Sequence, residues 1–286
     1  MQEHKSACAE SLPGSAGEQH EYVHGSALKG GTPHDNRRTR ILTVRSHSGL
    51  SGDMLVTGLL RMNAISQSEL NDLLEGIFPK LSGTVRLVTR DVAHITGWHI
   101  DVDLPCEHVH RSCQDIFTIL QESSLSPGAV ELTQKAFLLL AETEGAVHGI
   151  APEAVHFHEV GALDSILDIS LACELFVRLA PDLFVVSPLP VCDGSVSCAH
   201  GILPVPAPAV LKLLSGLMVR PFPGSGETVT PTAAALLHVF QPTFGPWPEM
   251  LVEKTDLVYG TKVFPNLPNG ASFAFGFGSS QLLYGR

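Results

Sequence analysis

Apolar residues recur along this chain at two spacings, and the spacing switches at glycines and prolines. Residues 41–44 read as a short strand. After the turn Ser48-Gly49-Leu50-Ser51-Gly52-Asp53, Met54, Leu55, Leu59 and Leu60 return at helical spacing, so the turn opens a helix. Ser66-x-x-Glu69 is a capping box, which starts a second helix near residues 68–77. Residues 84–92 and 99–104 alternate apolar and polar as strands do, predicting a hairpin turned around Ile95-Thr96-Gly97. Helices follow over 115–122 and, long and amphipathic, over 129–148. Residues 155–161 alternate like a strand that ends at Gly161, and 164–179 form a helix. Residues 183–187 and 194–199 are strands. Pro204, Pro206 and Pro208 fix φ at three positions and lead into a helix at 210–214. Thr230-Pro231-Thr232 caps a helix running to Phe240, and 246–258 and 272–277 are late strands. Helices and strands mix throughout, so the fold class is α/β or α+β around one main core. The pattern leaves the sheet order open.

Residues 1–40 carry hardly any large apolar groups and read as a disordered extension ahead of a domain over 41–280. That extension holds five acidic and five basic residues, so the whole net charge of −11 falls on the domain. Excess acid and the lack of any long Lys/Arg run argue against a nucleic-acid partner and favour cations over phosphate polymers. Six cysteines without a CxxC pair predict a reduced, cytoplasmic setting rather than a disulfide scaffold. No secretory signal pattern opens the chain, and no apolar run reaches the roughly 18 residues of a membrane span.

The sharpest chemical signal is His156-x-His158-Glu159. On an extended backbone the two imidazoles share a face and can grip one borderline cation such as nickel or zinc. Asp164 and Asp168, four apart on the next helix, add carboxylates to one face. A half-buried strand followed by a capped helix accounts for the same residues without metal. Ser48-Gly49-x-Ser51-Gly52-Asp53 offers free N–H groups and a helix dipole to a phosphate, or simply caps its helix. It has no P-loop lysine. Cys198-Ala199-His200 joins a soft ligand and an imidazole two residues apart, although cysteine is also a common buried residue. His108 and His110 repeat that spacing in a loop. Gly224-x-Gly226-Glu227-x-x-Thr230-Pro231-Thr232 is a second glycine-rich helix entry, open to the same two readings.

Taken in order, Ser48 to Met54 (SGLSGDM), Val155 to Asp168 (VHFHEVGALDSILD), Ser187 to Pro190 (SPLP), Cys198 to Pro208 (CAHGILPVPAP) and Gly226 to Leu236 (GETVTPTAAAL) resemble the nickel-insertion (LarC) family. A weaker match lies at Tyr259-Gly260-Thr261-Lys262. The resemblance implies a chelatase of the lyase class. Its reaction would insert nickel into pyridinium-3,5-bisthiocarboxylic acid mononucleotide during biosynthesis of the nickel-pincer cofactor that serves lactate racemase. It implies nickel, and CTP with a divalent cation. It implies His156, His158, Asp164 and His200 as the metal set and Asp53 and Glu159 as catalytic carboxylates. Ser51, Gly52, Thr230 and Thr232 would line the nucleotide-like substrate.

The chain departs from the family in places. Arg45, Ser46 and His47 stand where the family has Asp, Cys and Phe, so Arg45 reverses a charge expected beside the site. The family's histidine-rich stretch is thinned to His108-Val109-His110-Arg111-Ser112. Family members continue into a C-terminal domain associated with CTP use, so a separate C-terminal partner chain is expected. Two rival functions remain: a non-catalytic nickel-binding or delivery protein, and a zinc-type hydrolase using His156, His158 and Asp164.

Overall fold

In a computed structural model of the chain, the described residues are 38–104, 110–157, 161–198 and 201–278. All belong to the compact unit Arg37–Arg286. The expected extension over 1–40 falls almost wholly outside them.

The chain begins with β1 (Thr39–Ser46), α1 (Gly52–Met62) and α2 (Gln67–Ile77), then β2 (Val85–Val92) and β3 (Ile95–Val102). Three helices follow: α3 (Cys113–Gln121), α4 (Pro127–His148) and, after a 3-10 turn at Pro152–Ala154, α5 (Leu163–Leu179). Next come β4 (Leu183–Val186), β5 (Leu189–Val191), β6 (Gly194–Cys198), β7 (Gly201–Val205) and α6 (Pro208–Leu213). The chain closes through β8 (Val219–Pro221), α7 (Pro231–Phe240), β9 (Thr243–Phe244), β10 (Leu251–Val258) and β11 (Ala271–Gly278).

Seven strands form one mixed sheet in the order β2-β3-β10-β11-β1-β4-β9, so the fold is mixed α/β. β1 lies inside it, antiparallel to β11 and parallel to β4. Alternation along β1 separates the two faces. Leu42 and Val44 join the core that α1, α4, α5 and α7 build, while Ile41, Thr43 and Arg45 point the other way. α1 lies on β3, β10 and β11, α5 packs on α1 and α4, and α7 touches α4, α5 and α6. Gly58 allows the close contact between α1 and the sheet, because a Cβ there would stand 2.3 Å from the Phe273 ring. Gly58→Ala is therefore expected to destabilise by about 1–3 kcal/mol, the usual scale of core overpacking. Urea denaturation should show a lower midpoint with an unchanged slope.

Several predicted elements move. The β2–β3 turn is Ala93-His94, two residues ahead of the predicted centre. Both residues have positive φ, 51° and 64°, which fits the primed turns that match strand twist. Gly97 instead lies within β3, where Tyr259 leaves no room for a Cβ. The strand expected over 155–161 reduces, among its described residues, to a single bridge between Phe157 and Arg111. The strand expected from 246 starts at Leu251, and the proline-rich lead-in begins inside β7, which pairs with β6 and ends at Val205.

Arg45 does not lie beside the candidate site. It is buried on the sheet face away from α1, where it donates to Thr43 Oγ1 (2.7 Å) and to the Gly245 carbonyl (2.7 Å) and stacks 5.5 Å from the centre of the Trp247 ring. The connection from β9 to β10 supplies Gly245 and Trp247.

Candidate functional site

A cavity of about 910 Å³ opens among α4, α5, α6, α7 and the β6–β7 hairpin. His156, Asp164, Thr230 and Thr232 line it, together with Glu144, His148 and Glu227. Val155, Phe157, Val196, Leu203 and Val210 supply much of its apolar wall. No Lys or Arg lines it among the described residues, so its potential is set by carboxylates and favours a cation.

Local sequence places each group. Val155 and Phe157 are buried, and alternation leaves His156 exposed between them at the rim. His156 Nδ1 lies 3.2 Å from the Ala154 carbonyl oxygen. As donor to that oxygen, Nδ1 carries the proton and Nε2 keeps a lone pair for a metal. Asp164 stands in the first turn of α5, where its Oδ1 accepts from Ser165 N at 2.7 Å. Thr230 caps α7 by accepting from Ala233 N at 3.3 Å, and its hydroxyl meets that of Thr232 at 2.9 Å.

The start of α1 abuts this wall from behind. Ser51, Gly52 and Asp53 do not line the cavity, but a Cβ on Gly52 would stand 2.8 Å from Asp168 Oδ2 and 3.2 Å from Thr232 Oγ1. Only glycine lets α1, α5 and α7 approach so closely here. The parallel bridge Leu50–Val229, with Leu50 N donating to Thr228 O at 2.8 Å, ties the two glycine-rich turns together. Ser51 Oγ hydrogen-bonds Asp53 Oδ1, which also accepts from Met54 N at 2.9 Å.

Asp168 is the perturbed group. Burial first, then the carboxylates of Asp53 and Asp164, push it well above the usual carboxylate range. Its own surface is only partly covered, so its depth in the fold, rather than complete loss of surface, makes ionisation costly. Three carboxylates from two helices thus act on one another at the cavity wall, Asp164 on it and Asp53 and Asp168 behind it. Among the described residues no group of three or more ligand-type side chains is close enough to hold a metal ion as it stands. His158, Glu159 and His200 lie outside the described residues, as do His108 and the side chain of Cys198.

The second glycine-rich turn is held by its carbonyls. Lys262 Nζ donates to Ser225 O (3.0 Å) and Glu227 O (3.1 Å), and Cys192 Sγ donates to Gly226 O (3.0 Å). Gly226 has φ +84°, and the lysine fills the space a Cβ would take.

A family model described as nickel insertion protein matches residues 42–279, a stretch that includes every one of these groups. The chain belongs to the nickel insertion protein family. A relative from Myxococcus xanthus, printed as "Putative nickel insertion protein", is 40% identical over 234 residues, 80% of this chain and 59% of that protein. One of the same name from Geobacter metallireducens is 37% identical over 244 residues, covering 85% and 63%. The pyridinium-3,5-bisthiocarboxylic acid mononucleotide nickel insertion protein of Staphylococcus epidermidis is 32% identical over 231 residues, covering 81% and 58%. The chain spans about three fifths of the length of these curated relatives. No solved structure matches it.

Among nickel insertion proteins this chain therefore shows how separated motifs meet. Blocks more than sixty residues apart in sequence, around Ser51, His156 and Thr230, converge on one wall. Sequence reasoning missed Glu144, His148 and Glu227 as cavity residues. The first two carried a signal, a Glu and a His four apart in the last turns of a long helix. Glu227 carried none beyond its glycine-rich neighbours. No helix among the described residues is long and apolar enough to cross a membrane.

Proposed function

We propose that this chain handles nickel for insertion into pyridinium-3,5-bisthiocarboxylic acid mononucleotide, on the route to the nickel-pincer cofactor. The observation that carries this reading is the carboxylate- and histidine-lined cavity inside the region that matches the nickel insertion family. Nickel is the cargo. Imidazole and carboxylate ligands bind a borderline divalent ion, yet yield it to the softer sulfur of a thiocarboxylate. His156 and Asp164 hold the ion, with His158 and His200 in the same set, and Asp53 and Glu159 are the carboxylates that assist transfer. Thr230 and Thr232, at the start of α7, hold the mononucleotide, whose phosphate suits a helix N-terminus, and Ser51 and Gly52, at the start of α1, support that wall from behind.

The domain over 41–280 is the nickel-handling part. The step using CTP with a divalent cation is assigned to the share of the relatives that this chain does not span, supplied by a partner chain or by further sequence. The setting is cytoplasmic, the chemistry is of the chelatase type within the lyases, and the product serves lactate racemase. The span of about three fifths favours one second reading, nickel binding and delivery without turnover.

Equilibrium dialysis against nickel tests the binding. The wild type should retain the ion, and His156→Ala should weaken retention about tenfold or more. Adding the precursor and the remaining part of a relative with CTP should then produce the nickel cofactor. Retention without product would favour delivery, and retention unchanged in His156→Ala would remove the site assignment.

A further inference from the structure

The last turns of α4 bring two more ligand-type side chains to the cavity that holds His156 and Asp164. Glu144 and His148 stand four apart on one helix face, with His148 Nε2 3.4 Å from Glu144 Oε2. On an outer helix face such a pair would add only a few tenths of a kcal/mol. Here both residues line the cavity wall.

The chain reversal after α4 explains why they share the cavity with His156. Gly149 closes the helix in the left-handed region at φ +69°. The chain then folds back so tightly that a Cβ on Gly145 would stand 2.8 Å from the Ile150 carbonyl oxygen. Ile150 N donates to the Gly145 carbonyl at 3.0 Å, and the 3-10 turn Pro152–Ala154 packs against α4. His156 follows immediately and returns to the rim that Glu144 and His148 occupy.

The two histidines share one feature. Each has one ring nitrogen near an oxygen: His148 Nε2 stands in ion-pair range of the Glu144 carboxylate, and His156 Nδ1 lies at hydrogen-bond distance from the Ala154 carbonyl. Histidines that ligate metals characteristically donate their other ring N–H in this way, which fixes the tautomer and the ring plane. Glu144, Asp164 and Glu227 line the same cavity, and no Lys or Arg lines it among the described residues. His148 and His156 are both exposed, so their side chains can turn to close on an ion.

We infer that His148, oriented by Glu144, is a further nickel ligand on the α4 wall, acting with His156. This rests on the proposed nickel-handling role of the cavity, and the test separates the two.

The full chain is titrated with Ni²⁺ alone, and nickel-edge X-ray absorption counts the imidazoles bound. His148→Ala, His148→Gln, Glu144→Gln and His156→Ala are compared with wild type and with His94→Ala, a change in the exposed β2–β3 turn. Circular-dichroism melts confirm that each variant is folded. Both His148 variants should weaken binding about ten- to hundredfold and remove one imidazole from the count. Glu144→Gln should weaken binding less and leave the count unchanged, and His94→Ala should match wild type. Wild-type affinity and imidazole count in the folded His148 variants, with binding lost in His156→Ala, would overturn this inference and leave the broader reading standing. Binding unaltered in every variant, His156→Ala included, or none by the wild type, would overturn both.

Discussion

Asp168→Asn is expected to make the protein more heat-stable at neutral pH and to blunt any stabilisation of the fold by nickel. In the native chain, burial and the neighbouring Asp53 and Asp164 raise the Asp168 pKa well above its ordinary value of 3.8. The native state therefore keeps a proton that the unfolded chain releases. The stability contribution is full below the unfolded value and is lost as pH rises from there toward the raised native value. Asparagine has a similar shape and no charge to desolvate, so it escapes that loss. The gain should be about 1 kcal/mol, or roughly 2–4 °C in a chain of this size. A divalent cation among the carboxylates reverses the balance, because its charge favours the ionised form. Nickel should accordingly raise the melting temperature of the wild type and do so far less in the variant. Melting curves from pH 4 to pH 8, with and without nickel, check both points. A variant whose advantage over wild type is the same at pH 4 and pH 7 would show that Asp168 ionises normally in the fold.

Asp168 also marks where the sequence stopped being informative. Its i, i+4 relation to Asp164 was legible, but not its placement against Gly52 and Thr232, which depends on α1, α5 and α7 meeting. The helices themselves were readable because their signals are local: the Ser66–Glu69 capping box forms, and Thr230 caps α7. The β2–β3 turn was misplaced because Ala93-His94 carries no turn chemistry, whereas Gly97 resembles a turn residue and is needed for close packing on Tyr259. Sheet order was illegible for a similar reason, since β1 pairs with strands more than a hundred residues away. His156, Asp164, Thr230 and Thr232, which come from blocks that resemble the nickel insertion family, line one cavity. The residues opposite them on α4 lie in an ordinary helical pattern, and only the fold brings Glu144 and His148 inward.

Removing the buried arginine at position 45 leads to the largest expected loss of stability. Arg45 is 8% exposed and makes no ion pair among the described residues; its donors go to Thr43 Oγ1, Gly245 O and Val185 O. Burial lowers its pKa, and the Trp247 ring offsets part of that cost. Arg45→Asp would set a carboxylate among carbonyl acceptors and strand them, an uncompensated buried charge costing about 3–5 kcal/mol. The melting temperature should fall by roughly 6–20 °C. Arg45→Met keeps most of the volume and loses only the hydrogen bonds, so it should cost about half as much. Because the side chain lies on the sheet face away from α1, nickel affinity per folded molecule should not change in Arg45→Met. Thermal melts paired with nickel titrations on both variants decide this. A tenfold change in nickel affinity in the folded methionine variant would mean that Arg45 acts on the site through the sheet and tunes the metal as well as the scaffold.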